Sequence, residues 1–252
     1  MPNCVFANPE IGSGKQLTEK ENRADLDPVR SKPGSAGAHR FCTVLSLGRV
    51  SYRRGLELQR EAFALVRAGG EDRILLLEHD PVLTIGRGGS EANLLVSREI
   101  LAQQGIELYE VERGGDITYH GPGQLVGYPI LGLNQHGRDV HKLLRGYEEA
   151  AIRALSVLGI EARRDPAYTG VWVGEDKIMA IGVAVRHWVS YHGFAFNIDP
   201  NLDHFKLINP CGITDRGVTS LAKILGRPVE RTEMERLLLR ELSVVFGLEM
   251  RV

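Results

Sequence analysis

From about residue 40 onward, apolar positions recur with two periods, and each change of period marks out an element. Residues 41–47 carry a strand pattern, and Ser51 is placed to cap a helix running to about Ala68. That helix turns Leu56, Phe63 and Val66 towards a core and stops at Gly69-Gly70. Residues 74–78 and 82–85 read as strands around a turn at His79-Asp80-Pro81, followed at once by a loop, Gly86-Arg87-Gly88-Gly89. Ser97 caps a short helix that stops at Gly105, after which 106–111 alternates as a half-buried strand does. Residues 124–131 resume a strand. Asp139 is the N-cap of the best-patterned helix, whose Val140, Leu143, Leu144, Tyr147, Ala151, Leu155 and Leu158 share one face before Gly159. Residues 170–174 and 177–185 make two strands around a turn at Glu175-Asp176, and 188–198 makes a third, broken at Gly193. A short helix at 221–225 and a final one from about Glu230 to Phe246 close the chain. This order, with several hairpins, predicts an α+β fold: a mixed, largely antiparallel sheet flanked by helices, not a doubly wound one.

Residues 1–40 break the pattern. They are rich in Pro, Gly, Ser and charge, without periodicity, and read as a disordered N-terminal extension to a single domain at 41–252. An apolar signal core is missing, and Glu10, Glu19, Glu21, Asp25 and Asp27 argue against a transit peptide. The whole chain of 252 residues is 43% hydrophobic and 25% charged with a formal net charge of −1, which gives no reason to expect nucleic acid or an anionic membrane as partner. No apolar run is long enough to span a bilayer. Three scattered cysteines, Cys4, Cys42 and Cys211, suit neither a disulfide framework nor a zinc site, and point to a reducing cytoplasm.

Chemistry is concentrated in three places. Asn209-Pro210-Cys211-Gly212 holds a thiol on a bend, where proline restricts the backbone before it and glycine frees the backbone after it. The bend alone leaves a nucleophile and a structural cysteine about equally supported. The glycine cluster at 113–124 lacks the Gly-Lys-Ser/Thr ending of a phosphate loop, so it is either a wide turn or a ligand cradle walled by Arg113, Tyr119 and His120. If extended, it puts Ile117 and Tyr119 on one face and Thr118 and His120 on the other. Lys177 opens a strongly apolar strand; it is either a solvated hairpin lysine or a base partly withdrawn from water that favours the Cys211 thiolate. Of the eight histidines, the pairs His136/His141 and His187/His192 are spaced for neither a helix face nor a strand face, so no metal is expected, and only His120 stands out.

These residues carry a resemblance. RGGDITYHGPGQL (113–125), the block from Gly170 through KIMAIGVAVRHWVSYHGFAFNI (177–198), and LINPCGI (207–213) resemble the signature blocks of lipoyl(octanoyl) transferases, in the lipoate/biotin protein ligase superfamily. EHDPVLTIGR (78–87) resembles that family's upstream block, and the likeness covers about 41–252. The resemblance implies the biotin/lipoate protein ligase catalytic fold and an acyl transfer through a covalent intermediate. A cysteine, here Cys211, takes an octanoyl or lipoyl group from acyl carrier protein and passes it to a lysine of a lipoyl domain, with Lys177 as the activating lysine. The implied acceptors are the lipoyl domains of 2-oxoacid dehydrogenases and the glycine cleavage H protein. The implied acyl-binding residues are Arg113, Gly114, Gly115, Asp116, Ile117, Thr118, Tyr119, His120, Ala180, Ile181, Gly182, Gly193, Phe194 and Ala195, with Asp116 and Phe194 the weaker members.

Thioester exchange is nearly isoenergetic, so neither ATP nor any other cofactor is expected, and the expected state is a monomer. A buried eight-carbon chain contributes up to ~5 kcal/mol at ~0.8 per methylene, enough to select chain length by pocket depth. Gly182 and Gly193 are the candidates to leave room for it, and amides near Lys177–Ile178 or at Gly212 are candidate oxyanion donors. For an acidic carrier protein, Arg53, Arg54, Arg60, Lys142, Arg145, Arg163 and Arg164 are candidate contacts. The competing readings are an ATP-dependent lipoate or biotin ligase using the 86–89 loop, a cysteine hydrolase pairing Cys211 with His120, and a non-catalytic acyl- or carrier-binding protein.

Overall fold

Nearly continuous apolar stretches such as Ile74–Leu77 arise where a strand is covered on both faces, and the principal sheet is covered on both. The computed structural model describes residues 40–209 and 216–252. The extension before Arg40 and the bend with Cys211 and Gly212 lie outside the described residues.

The chain runs through strand Arg40–Val50 (β1), helix Tyr52–Arg67 (α1), strands Asp72–His79 (β2) and Val82–Ile85 (β3), and helix Arg98–Gln103 (α2). Strands Glu107–Glu110 (β4), Ile117–His120 (β5) and Gln124–Ile130 (β6) lead to helix Val140–Val157 (α3). Arg163–Arg164 (β7), Val171–Val173 (β8), Asp176–Arg186 (β9), Val189–Asn197 (β10) and Gly217–Val218 (β11) follow. Helices Leu221–Leu225 (α4) and Arg231–Phe246 (α5) precede strand Leu248–Arg251 (β12). The final helix therefore does not close the chain: Gly247, at φ 62°, ends α5, and β12 pairs parallel with β1.

The principal sheet has the order β12-β1-β2-β6-β10-β9-β8-β7, with β11 added beside β9. Its β12, β1 and β2 are parallel to one another, β11 is parallel to β9, and the pairs from β2 to β7 are antiparallel. The expected mixed, largely antiparallel sheet is what forms. A second sheet, β4-β3-β5, stands apart from it.

Alternation sorts the side chains. Ile74, Leu76, Leu125, Phe194 and Phe196 point to one face, where they pack with Leu143, Tyr147 and Leu155 of α3 and Met234, Leu238 and Leu242 of α5. Leu75, Leu77, Val126, Tyr128, Ile130 and Ala195 point to the other, against Ala62 and Val66 of α1. Each fully buried Leu or Ile adds about 1.5–3 kcal/mol. The buried face of α1 is Tyr52, Gly55, Gln59, Ala62 and Val66, so the predicted Leu56 and Phe63 lie only half-buried at its flank. The cause is close approach: a Cβ on Gly55 would stand 2.6 Å from Cε1 of His79. The small sheet has its own core of Leu83, Ile85, Leu101, Ile106, Ile117, Tyr119 and Ile208.

Candidate active site

On the α1 face of the principal sheet, where β3 and β5 meet it, polar side chains are buried together. His79, at the end of β2, sets Nε2 2.6 Å from the Tyr128 hydroxyl and Nδ1 3.1 Å from the Val50 carbonyl. His120, the last residue of β5, lies edge-on to His79 with ring centroids 6.1 Å apart, and Tyr52 stacks parallel to it at 6.4 Å. His192 completes the cluster, 6.3 Å from the Tyr128 ring. Burial pushes His79 down to about 4 and His192 to about 3, with Arg113 adding to the shift of His192. His120 falls well below its usual range, first through burial and then through His79 and Arg113. All three imidazoles are neutral at pH 7. Among the described residues no group of three or more His, Cys, Asp or Glu is arranged to hold a metal ion.

Arg113 ties the small sheet to the large one. Its Nη2 donates to the carbonyl of Thr84 at 2.7 Å and to the Thr84 hydroxyl at 2.9 Å, while Nη1 donates to the Gly114 carbonyl at 3.0 Å. The amide of Gly114 then donates to Val183 of β9 at 2.8 Å. The two glycine loops close on each other: Gly86, Arg87 and Gly88 donate to Asp116, Arg113 and Gly115 carbonyls. A Cβ on Gly86 would stand 2.4 Å from the Gly115 oxygen, so backbone contact between loops accounts for this glycine without a nucleotide.

Lys177 sits at the start of β9 between β8 and β11, paired with Trp172 on one side and Val218 on the other. The register shifts between Val171 and Trp172, and Ile178 and Met179 both pack into the α3 core. This bulge reverses the alternation, so Lys177 shares the opposite face with Ala180 and Gly182. A chain of buried hydrogen bonds connects the two regions. Gln124 accepts from His120 Nδ1 at 3.2 Å and donates to Asn197 Oδ1 at 2.9 Å. Asn197 donates to the Thr219 carbonyl at 3.0 Å, and the Thr219 amide donates to the Lys177 carbonyl at 3.0 Å.

The structure thus packs Arg113 and Gly114 against Gly182 and links His120 to the Lys177 backbone through Gln124, Asn197 and Thr219, with Ala180 on the face of β9 that Gly182 and Lys177 share. Ile117 and Tyr119 face away, into the core of the small sheet, while Thr118 is half-buried on the other side of β5. Gly115 adopts φ 85°, and Asp116 accepts from Asn93 Nδ2 at 2.6 Å, so both shape the loop. Ile181 and Phe194 pack on the α3 side and Ala195 on the α1 side. The space beside Gly193 is taken: a Cβ there would lie 2.3 Å from the Gly127 oxygen. Beside Gly182 stand Arg113 Cδ and the Gly114 oxygen, each 3.0 Å from such a Cβ. Neither glycine leaves open room in these surroundings. The candidate basic residues divide between opposite faces, Arg53, Arg54 and Arg60 on α1 and Lys142 and Arg145 on α3. Several are paired, Arg54 with Glu57 and Glu61, Arg145 and Arg164 with Glu148, and Arg163 with Asp165 and Glu175.

Sequence reasoning missed His79, Tyr52, Tyr128 and His192, because they lie at the end of β2, the start of α1 and the interiors of β6 and β10, and single polar residues scattered over four elements carry no periodic signal. The described residues on either side of 210–215 pair with the two regions. The Asn209 amide donates to the Asn93 carbonyl at 2.8 Å, and Gly217 and Val218 pair with Asp176 and Lys177.

Residues 51–243 match the lipoyl protein ligase A/B catalytic domain. An octanoyltransferase of Caldicellulosiruptor saccharolyticus is 50% identical over 211 residues, covering 82% of this chain and 90% of that protein. One from Desulforamulus reducens is 46% identical over 208 residues, covering 82% and 91%. Among solved structures, the bi-partite lipoate protein ligase of Thermoplasma acidophilum shares the fold with a TM-score of 0.68 at 21% identity, covering 85% of this chain and 86% of that one. Lipoate-protein ligase A bound with ATP gives 0.65 at 21% identity, covering 85% and 88%. The chain belongs to the lipoyl protein ligase A/B catalytic domain family and, at this level of identity over most of its length, groups with the octanoyltransferases as an acyltransferase.

Proposed function

We propose that this enzyme carries an octanoyl group from acyl carrier protein to a lysine of a lipoyl domain through a thioester on Cys211. The Cys211 thiolate attacks the carrier thioester, a carbon–sulfur bond forms as the carrier's breaks, and Lys177 as ammonium protonates the departing thiolate. The acceptor lysine then attacks the acyl-enzyme, Cys211 leaves as thiolate, and Lys177 as amine takes the proton of the forming amide. Arg113, His120 and Ala180 border the acyl group, beside neutral imidazoles that add no competing charge.

The observation that supports this reading is the pairing of β11, which follows Cys211 closely in sequence, with Asp176 and Lys177. A reducing cytoplasm suits a free catalytic thiol. The acceptor class follows from the relatives' activity, and a single copy supplies every residue named.

Incubation with octanoyl acyl carrier protein, without ATP, tests it by intact mass. A hydroxylamine-labile octanoyl adduct is expected, absent from Cys211→Ser. Activity appearing only with ATP and free octanoate would establish the ligase reading instead, and binding without an adduct the non-catalytic one.

A further inference from the structure

Lys177 is held by more than its backbone. Its Nζ lies 4.8 Å from the centroid of the Trp172 ring. Trp172 is its cross-strand partner and is 1% exposed. A buried indole ordinarily finds a partner for its N–H. Here Nε1 has none among the described residues, whereas the ring face meets the lysine directly. The stem of the lysine is placed as well. Gly170, at φ 135°, lies close against β9: a Cβ there would stand 2.6 Å from the Met179 oxygen and 3.3 and 3.4 Å from Lys177 Cε and Cδ, so its bare backbone borders the channel in which the methylenes lie.

From this arrangement we infer that Trp172 is a positioning residue for Lys177, its ring face setting where the ammonium stands as the acyl group is transferred. The inference rests on the reading of Lys177 as the acid and base of that transfer. The attraction between an ammonium and an indole face is electrostatic and strengthens when water is excluded. A second cation shares the ring: the guanidinium carbon of Arg216 is 5.4 Å from its centroid. Nη1 of Arg216 lies 3.1 Å from Asp165 and 2.8 Å from Glu175, and Arg163 approaches both carboxylates from the other side. Arg216 is therefore held by two acids, and the Trp172 ring is an element common to both cations.

The test is a double-mutant cycle on the single-turnover rate of Cys211 octanoylation. Trp172→Leu should slow acylation about three- to thirtyfold, with Trp172→Phe closer to wild type and half-saturation by octanoyl acyl carrier protein unchanged. In a Lys177→Ala background, Trp172→Leu should cost nothing further. A full additional loss in that background, or coupling confined to a parallel cycle with Arg216→Gln, would overturn the inference. Should Trp172→Leu fail to fold, mono-, di- and trifluorotryptophan in a Trp188→Phe protein replace it. Stepwise loss of rate with each fluorine is expected, and a flat series refutes the role. A Lys177→Ala protein as fast as wild type would instead remove the reading of Lys177 itself, a distinct result.

Discussion

The Nε2 of His79 accepts a hydrogen bond from the Tyr128 hydroxyl across 2.6 Å, deep beneath α1. The tautomer follows from the other nitrogen. Nδ1 faces the Val50 carbonyl at 3.1 Å, and a carbonyl only accepts, so Nδ1 bears the proton and Nε2 is left as acceptor. Burial drives the Tyr128 hydroxyl well above its usual range and keeps it a donor. Tyr128→Phe leaves a buried nitrogen without a partner and should cost about 1–3 kcal/mol. Urea unfolding measures it; an unchanged midpoint would mean the bond contributes nothing.

Three buried neutral histidines also set the response to acid. Each unfolded imidazole titrates near 6.5, whereas folded His79 titrates near 4 and His192 near 3, and burial holds His120 well below its usual range. Between those values the unfolded chain binds protons that the folded one refuses. Stability is therefore fully present above about pH 6.5 and falls as the pH drops towards 4, by up to about 1.4 kcal/mol per pH unit for each group. Urea midpoints across this window should fall steeply, and His79→Gln should flatten the slope. A slope identical in the variant would show that His79 is not held neutral.

Much of this was legible in the sequence, and the exceptions share a cause. The strands and amphipathic helices announce themselves because each element buries one face or two, and periodicity records that directly. β7 and β11 are two residues long, too short for any period, and exist because a neighbouring strand receives them. In the site, Lys177 and His120 stood out through their settings, an apolar strand and a glycine cluster. The bulge at Ile178 that turns Lys177 to the face of Ala180 depends on cross-strand register, which one strand's sequence does not encode.

Gly193 illustrates the difference in the other direction. Glycine in a strand suggests either room for a ligand or close approach of another backbone, and here it is approach, by Gly127 and Pro129 of β6. Gly193→Ala should lower the thermal midpoint sharply through a displaced β6. Preference between hexanoyl, octanoyl and decanoyl donors should stay the same; a shift towards shorter chains at unaltered stability would return Gly193 to the acyl pocket.

His192 occupies the left-handed region at φ 56°, unusual for a residue with a side chain, and its amide is caught by Gln59 Oε1 of α1 at 2.8 Å. The Gln59 amide nitrogen has no partner among the described residues. Gln59 thus stabilises a strained bend that holds His192 beside Tyr128. Gln59→Met should cost about 1–3 kcal/mol by leaving the His192 amide unpaired. His192→Gly should recover part of that loss in the Gln59→Met background by relieving the backbone, which thermal unfolding of the single and double variants reports. No recovery would mean that the bend is not strained.

Glu148 acts on the lysine channel from the opposite face of the sheet. Its carboxylate is fully buried on α3, 2.7 Å from Arg145 Nη1 and 3.2 Å from Arg164 Nε. Its other oxygen accepts from the Gly170 amide at 3.0 Å, fixing the residue over which the Lys177 stem lies. Both arginines are partly exposed and regain water when the acid is removed, so the lasting loss is the bond to Gly170. Glu148→Gln keeps an oxygen for that amide, whereas Glu148→Leu does not. Glu148→Gln should therefore retain most of the octanoylation rate, and Glu148→Leu should lose it together with about 1–3 kcal/mol of stability. Equal rates in the two variants, measured under conditions where both are folded, would show that Gly170 is held in place without Glu148.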